Sequence, residues 1–536
     1  MSVLPKVAYF SMEYGLNSDF KTYAGGLGIL AGDYIKGAKE FNYPIVSIGI
    51  LWKQGYTDQR IDKNGNPFDC YHNYIYDFLE DTGVTVNVNI REKDILCKVW
   101  KVTKFDNADL YLLDTDLPEN KSDNFITGQL YGWFGEERIA QEIVLGIGGV
   151  RALRKLGIDV DVYHFNEGHA LFAGFELLKE KMDNGNSYEE AFNLTREEIV
   201  FTTHTPIVEG NESHPIDKLM YLKANNGIPK DTLIDLGGDP FNMTVAALKL
   251  SRKSNAVAKL HGETANKMWS SVDSRSEIVA ITNAIHMKTW VDDNMIQAAL
   301  NDKNIYENHM KNKKELIDFI YNRNGVKLKE DSIIIGFSRR AAPYKRSNFI
   351  FTDEKIMRPL LESSKVQIVF SGKAHPLDDT GKDIVANIVK LSKEYPNSVV
   401  FLENYDMNIG KALTRGADVW LNNPRRPKEA SGTSGMKAAM NGVLNMSILD
   451  GWWPEACNDG VNGWQIGNGF ESDDEDLLDE NDLKDLYRVL LDEVLPTYYD
   501  NKTKWTNMMT ESILSTKDYF SVERMLKEYY KELYIK

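Results

Sequence analysis

Short apolar runs alternate with longer amphipathic segments along most of the chain. Four runs lie in the first half and four in the second: KVAYFSM, PIVSIGIL, VDVYHF and EEIVFTTHT, then SIIIGFS, KVQIVFSG, SVVFLEN and ADVWLNN. Apolar runs of this length are typical of strands buried on both faces, and the segments between them are typical of covering helices. The pattern therefore predicts an α/β protein with parallel sheets.

The strand pattern pauses once, after EIVAITNAIHMKTW (residues 277–290), for a long polar helical region. We therefore predict two lobes, residues 1–286 and 287–515, and a final amphipathic helix within 516–536. The acidic stretch ESDDEDLLDENDLKDLYRVLLDEVL is interpreted as a helix with a solvated face. Ligands of open α/β sheets bind beyond the carboxyl ends of the strands, so we expect the site in the cleft between the lobes.

Composition and charge restrict the partners of this chain. With 42% hydrophobic and 26% charged residues, its 536 residues can form large cores and a solvated surface. The net charge of -16 repels polyanions, so nucleic acids and anionic membranes are disfavoured. Three cysteines without a CxxC pair suit a reducing compartment, and the first residues lack the features of a signal peptide. The sequence predicts a cytoplasmic protein.

A glycine-rich segment, TYAGGLGILAGDYIKGAKEF, places Gly25, Gly26 and Gly28 before a predicted helix. Gly26, Gly28 and Ala31 match the G-x-G-x-x-A pattern of dinucleotide sites. That pattern also needs an acid after the next strand, where this chain has Leu51 and Trp52. A dinucleotide is therefore disfavoured, but the amides still suit a phosphate or a closely approaching sugar.

Four cations follow the strand SIIIGFS within the segment FSRRAAPYKR: Arg339, Arg340, Lys345 and Arg346. Arginine can grip two phosphate oxygens in a fixed fork, whereas lysine supplies a mobile point charge. On so acidic a chain, the cluster favours a phosphate clamp over a set of solvent-facing side chains.

Polar residues end three other predicted strands: His169 in FNEGH, His204 in FTTHT and Asn283 in ITNA. Each residue alone is equally compatible with a structural role. His164 and His169 are five positions apart, which does not place them on one helical face as zinc ligands. We predict no metal.

The segment EASGTSGMKAAMNG (residues 429–442) delivers Lys437 into the first turn of a predicted helix, where a cation is unfavourable. Ser434 and Lys437 match the S-x-x-K motif of serine acyl-enzymes, and residues 122–124 read S-D-N. The order is reversed and K-T-G is absent, so that reading fails. Two interpretations remain: a lysine whose ammonium extends to solvent, or one that forms a Schiff base with an aldehyde cofactor bound through its phosphate at the helix start.

Together these segments resemble the α-glucan phosphorylases, the family of glycogen, starch and maltodextrin phosphorylases. EASGTSGMKAAMN is similar to the family's pyridoxal phosphate attachment signature. YFSMEYGL, GGLGILAGD, FNEGH, TTHT, ITNAI, SRRAAPYKR, SGKAHP and LENYD are also similar and occur in the same order, so the resemblance spans about residues 7–470. It implies a fold of the GT-B type, with two Rossmann-like lobes whose parallel sheets face each other across a deep cleft and a C-terminal helix that crosses back to the first lobe.

The implied reaction is reversible phosphorolysis. Inorganic phosphate would remove the non-reducing-end glucosyl unit of an α-1,4-glucan as α-D-glucose 1-phosphate, with retention, and pyridoxal 5′-phosphate would act through its phosphate as proton donor and acceptor. A nucleotide-sugar-dependent retaining glucosyltransferase on the same fold is the alternative, and a catalytically silent glucan-binding protein is a third. The family is often dimeric, but the segments that build the animal-type dimer are partly missing here, so the sequence leaves a homo-oligomer open.

The resemblance implies roles for matching positions. Lys437 would carry the cofactor, Arg340 would bind inorganic phosphate, and Arg339 and Lys345 would hold the cofactor phosphate. Lys437, Arg340, Lys345, His204 and Glu429 form the predicted catalytic set. The other implied positions are cofactor contacts at Thr433, Ser434, Trp290, Tyr405, Glu13 and Gly26, and substrate contacts at Gly25, Gly26, Asn283, His204, His169, Tyr344, Glu429, Ser431 and Gly432.

Three positions depart from the animal-type enzymes. Asp406 stands where those enzymes carry an arginine near the cofactor phosphate, Arg339 replaces a lysine, and GTSGMK replaces GTGNMK. Only 11 residues separate Glu13 from Gly25, which leaves no room for the N-terminal phosphorylation segment of the animal type. We therefore expect no control by phosphorylation.

Overall fold

A computed structural model describes residues 4–132 and 134–536. Its contacts divide the chain into two compact units. The first unit comprises Met1–Tyr56, Tyr71–Thr282 and Met525–Lys536, and the second comprises Thr57–Cys70 and Asn283–Arg524. The domain limits drawn from the sequence, after residues 286 and 515, stay a prediction. No helix in the described part of the chain is long and apolar enough to cross a membrane.

The strands, in chain order, are β1 (Val7–Phe10), β2 (Ile45–Ile50), β3 (Asp58–Ile61), β4 (Pro67–Cys70), β5 (Glu80–Ile90), β6 (Lys93–Val102), β7 (Leu110–Asp114), β8 (Val162–Asn166), β9 (Ile199–Thr202), β10 (Ser213–His214), β11 (Phe241–Asn242), β12 (Lys253–Ala256), β13 (Glu277–Ala280), β14 (Ile333–Ser338), β15 (Val366–Ser371), β16 (Val399–Leu402), β17 (Val419–Asn422), β18 (Leu444–Ile448) and β19 (Gly463–Ile466).

The helices are α1 (Gly26–Glu40), α2 (Glu136–Ile143), α3 (Gly149–Lys155), α4 (Phe172–Asp183), α5 (Tyr188–Arg196), α6 (Ile216–Leu222), α7 (Lys230–Gly237), α8 (Met243–Leu250), α9 (Lys259–Met268), α10 (Met287–Trp290), α11 (Asp293–Asn301), α12 (Ile305–Asn324), α13 (Glu354–Glu362), α14 (Asp379–Glu394), α15 (Met407–Gly416), α16 (Thr433–Met440), α17 (Trp453–Ala456), α18 (Glu475–Arg488), α19 (Leu495–Asp500), α20 (Lys502–Thr516) and α21 (Val522–Tyr529).

The first unit is built on a nine-stranded sheet in the order β13-β12-β9-β8-β1-β2-β7-β6-β5. The strands from β13 to β7 are parallel, whereas β6 and β5 continue the sheet antiparallel. β1, β2 and β9 are buried along their whole length, as strands covered on both faces must be. β5 and β6 instead alternate between more and less buried residues, and the long apolar runs of the sequence therefore did not reveal them.

The second unit contains a six-stranded sheet in the order β16-β15-β14-β17-β18-β19, and every pair in it is parallel. All eight apolar runs of the sequence contain a strand of one of the two large sheets. The predicted α/β class is confirmed, and two parallel-rich sheets of nine and six strands are consistent with the GT-B fold.

The hairpin β3–β4 belongs to the second unit, although its neighbours in sequence belong to the first. The Gln59 side-chain amide forms two hydrogen bonds with the backbone of Ala374, of 3.1 and 2.9 Å. Arg60 pairs with Glu403 at 3.0 Å, and the Ile61 amide donates to the same carboxylate. Position along the chain had assigned this hairpin to the first lobe, whereas its contacts place it against the loops that follow β15 and β16.

The last residues of the chain belong to the first unit. The Tyr534 hydroxyl lies 2.6 Å from His164 Nδ1, and His164 Nε2 lies 2.6 Å from the Thr202 hydroxyl. Asn255 donates to the Tyr529 hydroxyl at 3.0 Å. Burial lowers the pKa of His164 to about 3, so a neutral imidazole links the tail to β8 and β9.

The second unit also contains a buried ion pair between α12 and the residue that precedes β17. Lys313 and Asp418 are almost fully buried, and Lys313 Nζ lies 2.7 Å from the carboxylate. The ammonium also donates to the carbonyl of Ser332 and to the Tyr498 hydroxyl. Burial acts to raise the pKa of Asp418, but Lys313 and His309 outweigh it and hold that pKa below its usual value.

Replacing Lys313 with methionine is expected to lower the free energy of unfolding by about 3–5 kcal/mol, because it leaves the Asp418 carboxylate buried without its ammonium. Urea unfolding measures the loss. Lys314→Met is the matched control: Lys314 is the next residue of the same helix and pairs with Asp318 at the exposed surface, so its replacement should change stability by about 0.5 kcal/mol or less. Equal effects of the two substitutions would contradict a structural role for the buried pair.

Candidate active site

Two of the four clustered cations share one carboxylate in the second unit. Arg339, directly after β14, and Lys345, in the following turn, both donate to Glu429 Oε2. All three side chains are more than nine-tenths buried. Arg339 donates also to the side-chain oxygen of Asn422, the last residue of β17. The carboxyl ends of neighbouring parallel strands therefore gather these groups, as open α/β sheets do.

The charge of Glu429 is fixed by its two partners. Burial acts to raise the pKa of Glu429, but the positive charges of Arg339 and Lys345 and their hydrogen bonds outweigh it and lower the pKa to about 2. Glu429 is thus an anion at neutral pH. The three groups together carry one net positive charge, which is available to a further anion.

A turn after β18 anchors the loop that carries Glu429. The Asp450 carboxylate accepts the amides of Glu429 at 2.9 Å and Gly451 at 2.8 Å. The Trp452 amide donates to the carbonyl of Ser431 at 2.9 Å. Gly451 has a φ of +58°, and a Cβ there would clash with the Ser431 carbonyl, so only glycine suits this close approach. Burial and the neighbouring Glu429 raise the pKa of Asp450 to about 7.

Lys437 lies in the second turn of α16, so its prediction in the first turn was wrong. Gly432 takes the left-handed conformation (φ 89°, ψ 62°), and the helix begins only at Thr433. The loop bends at Gly432, because glycine has no Cβ and adopts this conformation without strain. Because Lys437 is closer to the carboxyl end of this eight-residue helix, its charge does not oppose the helix dipole as the sequence had suggested.

The Lys437 side chain is buried against an aromatic ring. Its Nζ lies 3.6 Å from the centroid of Trp290, which is fully buried, and Lys437 as a whole is 4% exposed. Asn441 fixes both residues, since its side-chain amide donates to the carbonyls of Lys437 at 2.8 Å and Trp290 at 3.3 Å. The interpretation of Lys437 as a lysine that extends to solvent is therefore wrong.

Arg346 does not join the other cations. Its guanidinium donates to Asp479 at 2.8 Å and Asp482 at 2.7 Å, both on α18. Arg425 pairs with Asp479 as well. The acidic stretch is thus not simply a solvated face: Asp482 is 1% exposed, and part of the negative charge of α18 neutralises Arg425 and Arg346, the latter expected from the sequence in the phosphate clamp. Arg340, in contrast, is exposed.

Several other predicted residues lie in the second unit. Tyr344 packs its ring 4.7 Å from Lys345 Nζ, and the Ser434 hydroxyl accepts a 3.3 Å hydrogen bond from Trp420. Within the described part of the chain, the buried Ser431 hydroxyl and Asn283 Oδ1 have no hydrogen-bond partner. Buried polar atoms are rarely without a hydrogen-bond partner, and hydroxyl groups of a ligand would satisfy the Ser431 hydroxyl and Asn283 Oδ1.

Tyr405 and Asp406 lie at the start of α15. Burial raises the pKa of Tyr405 well above its usual value, so the phenol stays protonated. Asp406 caps α15, because its carboxylate accepts the Ile409 amide at 2.8 Å, and it lies 3.7 Å from Arg323. The negative charge of Asp406 is thus used locally by a helix start and an arginine.

In the first unit, Glu13 holds the glycine-rich segment at the start of α1. Its Oε2 accepts the amides of Ala24 at 2.6 Å and Gly25 at 3.1 Å, and its Oε1 accepts the Tyr131 hydroxyl at 3.0 Å. The Gly25 amide, expected to face a substrate phosphate, therefore donates to Glu13 in this structure. Gly28 belongs to α1 itself, where a Cβ would lie 2.5 Å from Glu13 Oε2.

His204 and His169 follow the neighbouring strands β9 and β8. His204 Nε2 lies 2.6 Å from the Asn166 side-chain oxygen, and its amide donates to Glu167. Burial lowers the pKa of His204 to about 3, so its imidazole is neutral. The pKa of His169 is raised instead, because Glu212, 3.4 Å away, outweighs the effect of burial.

His169, Glu142 and Glu212 also place ligand-type atoms within 4.8 Å of one another, a group that the spacing of the histidines did not predict. These acids already have cationic or imidazole partners. Arg138 lies 3.6 Å from Glu212, and His214 lies 3.0 Å from Glu142. The arrangement is that of a buried ion-pair network.

The family model described as carbohydrate phosphorylase matches residues 266–456. A maltodextrin phosphorylase of Thermococcus litoralis is 39% identical over 99% of this chain and 70% of that protein. A glycogen phosphorylase of Aquifex aeolicus is 35% identical over 99% of this chain and 86% of that protein.

The chain belongs to the carbohydrate phosphorylase family.

Membership in this family, with relatives that match over almost the whole chain, confirms the function predicted from the sequence: an α-glucan phosphorylase, which is a glycosyltransferase. An uncharacterised protein of Methanocaldococcus jannaschii is 37% identical over 98% of this chain and 99% of that protein. A relative of nearly equal length thus accompanies the longer ones.

Within each unit, the structure shows residues that sequence reasoning missed and that hold a predicted site residue in place. Asp450 and Asn422 orient Glu429 and Arg339, and Tyr131 holds Glu13. Asp450 stands in LDGWW directly after a buried strand, and position at a strand end was the one signal that could have suggested it. The roles of the predicted residues stay predictions, whereas their positions are now defined.

Gly28→Ala should reduce stability by about 1–3 kcal/mol, because the added methyl group would meet the Glu13 carboxylate and the Tyr23 side chain. Gly26→Ala is its control in the same helical turn: a Cβ there meets nothing within 4 Å, and the change should stay within about 0.5 kcal/mol. Thermal unfolding compares the two variants. Similar losses would show that Glu13 does not need the space at Gly28.

Proposed function

We propose that this phosphorylase cleaves the non-reducing-end glucosyl unit of an α-1,4-glucan with inorganic phosphate, reversibly and with retention, using pyridoxal 5′-phosphate. The observation that carries the proposal is Lys437, buried against Trp290 in the second turn of α16. The relatives' names, maltodextrin phosphorylase and glycogen phosphorylase, support an α-glucan as substrate and α-D-glucose 1-phosphate as product.

The residues of the second unit fit pyridoxal phosphate. The group needs an amine, an aromatic or apolar surface for its ring and positive charge for its phosphate, and Lys437, Trp290 and the pair Arg339 and Lys345 offer these. The amides of Thr433 and Ser434, at the start of α16, would add donors to the phosphate. When bound, the cofactor supplies a phosphate group that can exchange a proton with inorganic phosphate.

Arg340 would bind the inorganic phosphate. Arg340 directly follows Arg339 in the sequence. It is exposed, so an incoming anion can reach its guanidinium. Two phosphates close together repel each other, and fixed positive charge is what lowers that repulsion in the reacting arrangement. Arg339, Arg340 and Lys345 would supply this charge from one strand end.

Several polar residues are candidates to hold hydroxyl groups of the reacting glucosyl unit. In the second unit, the Ser431 hydroxyl and Asn283 Oδ1 are buried and lack partners among the described residues, and Glu429 offers its carboxylate. In the first unit, His204 is neutral and is oriented through Asn166, which suits a hydrogen bond rather than a charge contact with a sugar.

Lys437→Ala is expected to abolish release of glucose 1-phosphate from maltodextrin and phosphate, since no other group would bind the cofactor covalently. The purified wild-type protein should absorb in the near ultraviolet, and borohydride should fix the absorbing group to Lys437. Replacement of Lys390, an exposed lysine of α14, should leave both properties unchanged. A nucleotide-sugar-dependent glucosyltransferase would show neither the absorbance nor the phosphate requirement.

Arg340→Gln should raise the KM for phosphate roughly 10- to 100-fold, the effect of losing one charge-assisted hydrogen bond. The KM for glucan should change much less, because the arginine is assigned to the anion. Initial rates at varied phosphate and varied maltodextrin separate the two constants. The control is Arg358→Gln, an exposed arginine of α13 that pairs with Glu354. An unchanged phosphate KM in the Arg340 variant would remove this residue from the proposed role.

A further inference from the structure

Glu429 is a buried carboxylate that two cations share. One of its oxygens, Oε2, accepts from both Arg339 and Lys345, and the three side chains are together shielded from water. A buried charge is stable only when it is paired, so the cations depend on this carboxylate as much as the carboxylate depends on them.

The same donors are the ones a phosphate would use. Arg339 and Lys345 stand at a strand end beside the loop that leads into α16, and no closer carboxylate pairs with either of them in the described chain. Arg339 and Lys345 carry further N–H groups, but a phosphate held by them would lie close to Glu429 Oε2, and two anions that share the same two cations repel each other. Binding of a phosphate therefore weakens the contact of Glu429 with these cations.

We propose that Glu429 is an internal counter-ion which competes with the cofactor's phosphate for Arg339 and Lys345. Phosphate binding would then free the Glu429 carboxylate for the hydroxyl groups of the glucosyl unit. This inference rests on the proposed function, since it takes pyridoxal phosphate as the ligand of the two cations.

The anchoring of the loop fits such an exchange. Asp450 holds the Glu429 amide, and the Trp452 amide holds the Ser431 carbonyl, so the backbone around Glu429 is fixed at both ends. A change of partner would consequently involve rotation of the Glu429 side chain alone. The low pKa of Glu429 supports the competition, because the carboxylate stays charged at neutral pH.

The test compares two ligands on the full-length chain freed of cofactor: pyridoxal 5′-phosphate and pyridoxal, which lacks the phosphate. Absorbance titration gives a Kd for each, and their ratio isolates the contribution of the phosphate. In Glu429→Gln the cations lose their competitor, so the preference for the phosphorylated ligand should increase at least about tenfold over wild type. Glu429→Asp keeps the charge on a shorter side chain and should increase it less.

Asp479→Asn is the matched control. Asp479 is also shared by two cations, Arg346 and Arg425, but at a different place in the second unit, and its variant should keep the wild-type ratio. An unchanged or smaller ratio in Glu429→Gln would overturn the inference. If Glu429→Gln fails to fold, an unchanged ratio in Glu429→Asp would overturn the inference instead. Wild-type protein that binds neither ligand would instead refute the proposed function, and the inference with it.

Discussion

Charge buried at the ends of parallel strands is the constraint on which the second unit depends. Arg339 follows β14, and the loop after β17 brings Glu429 to it, so the topology of the sheet assembles the ion pair. The cluster of Lys313 and Asp418 meets the same requirement at the opposite, amino-terminal end of β17. Since a buried charge without a partner costs several kcal/mol, each of these contacts fixes the position of the strand that carries it.

The two ends of β17 use this chemistry differently. The negative charge of Asp418 is neutralised by Lys313, and hydrogen bonds from Ile334 and His309 satisfy the rest of the carboxylate. This contact is structural. At Glu429 two cations share one carboxylate oxygen, and one positive charge remains in excess. That excess positive charge is what would suit this strand end to the anionic ligand of the proposed function.

Much of the fold and part of the site could be predicted from the sequence. The eight apolar runs located the central strands because burial on both faces leaves a local signal. Lys437, Arg339 and Lys345 could be selected because clustered cations and a glycine-rich loop are also local. The placement of the hairpin β3–β4, the partner of Arg346 and the role of Asp450 could not, since they depend on residues 315, 136 and 21 positions away, respectively.

The sequence by itself determined the α/β class and the family and singled out Lys437 as the candidate cofactor lysine, because periodicity and short motifs are properties of neighbouring residues. Only the tertiary structure decided which charges meet. In the structure, Arg346 pairs with the acidic helix α18, and Glu429 pairs with Arg339 and Lys345. Helix α16 begins at Thr433, so Lys437 lies one turn further along the helix than expected. The reason is that the pairing of buried charges depends on the distances between strands and helices in the fold, and a short stretch of sequence does not determine those distances.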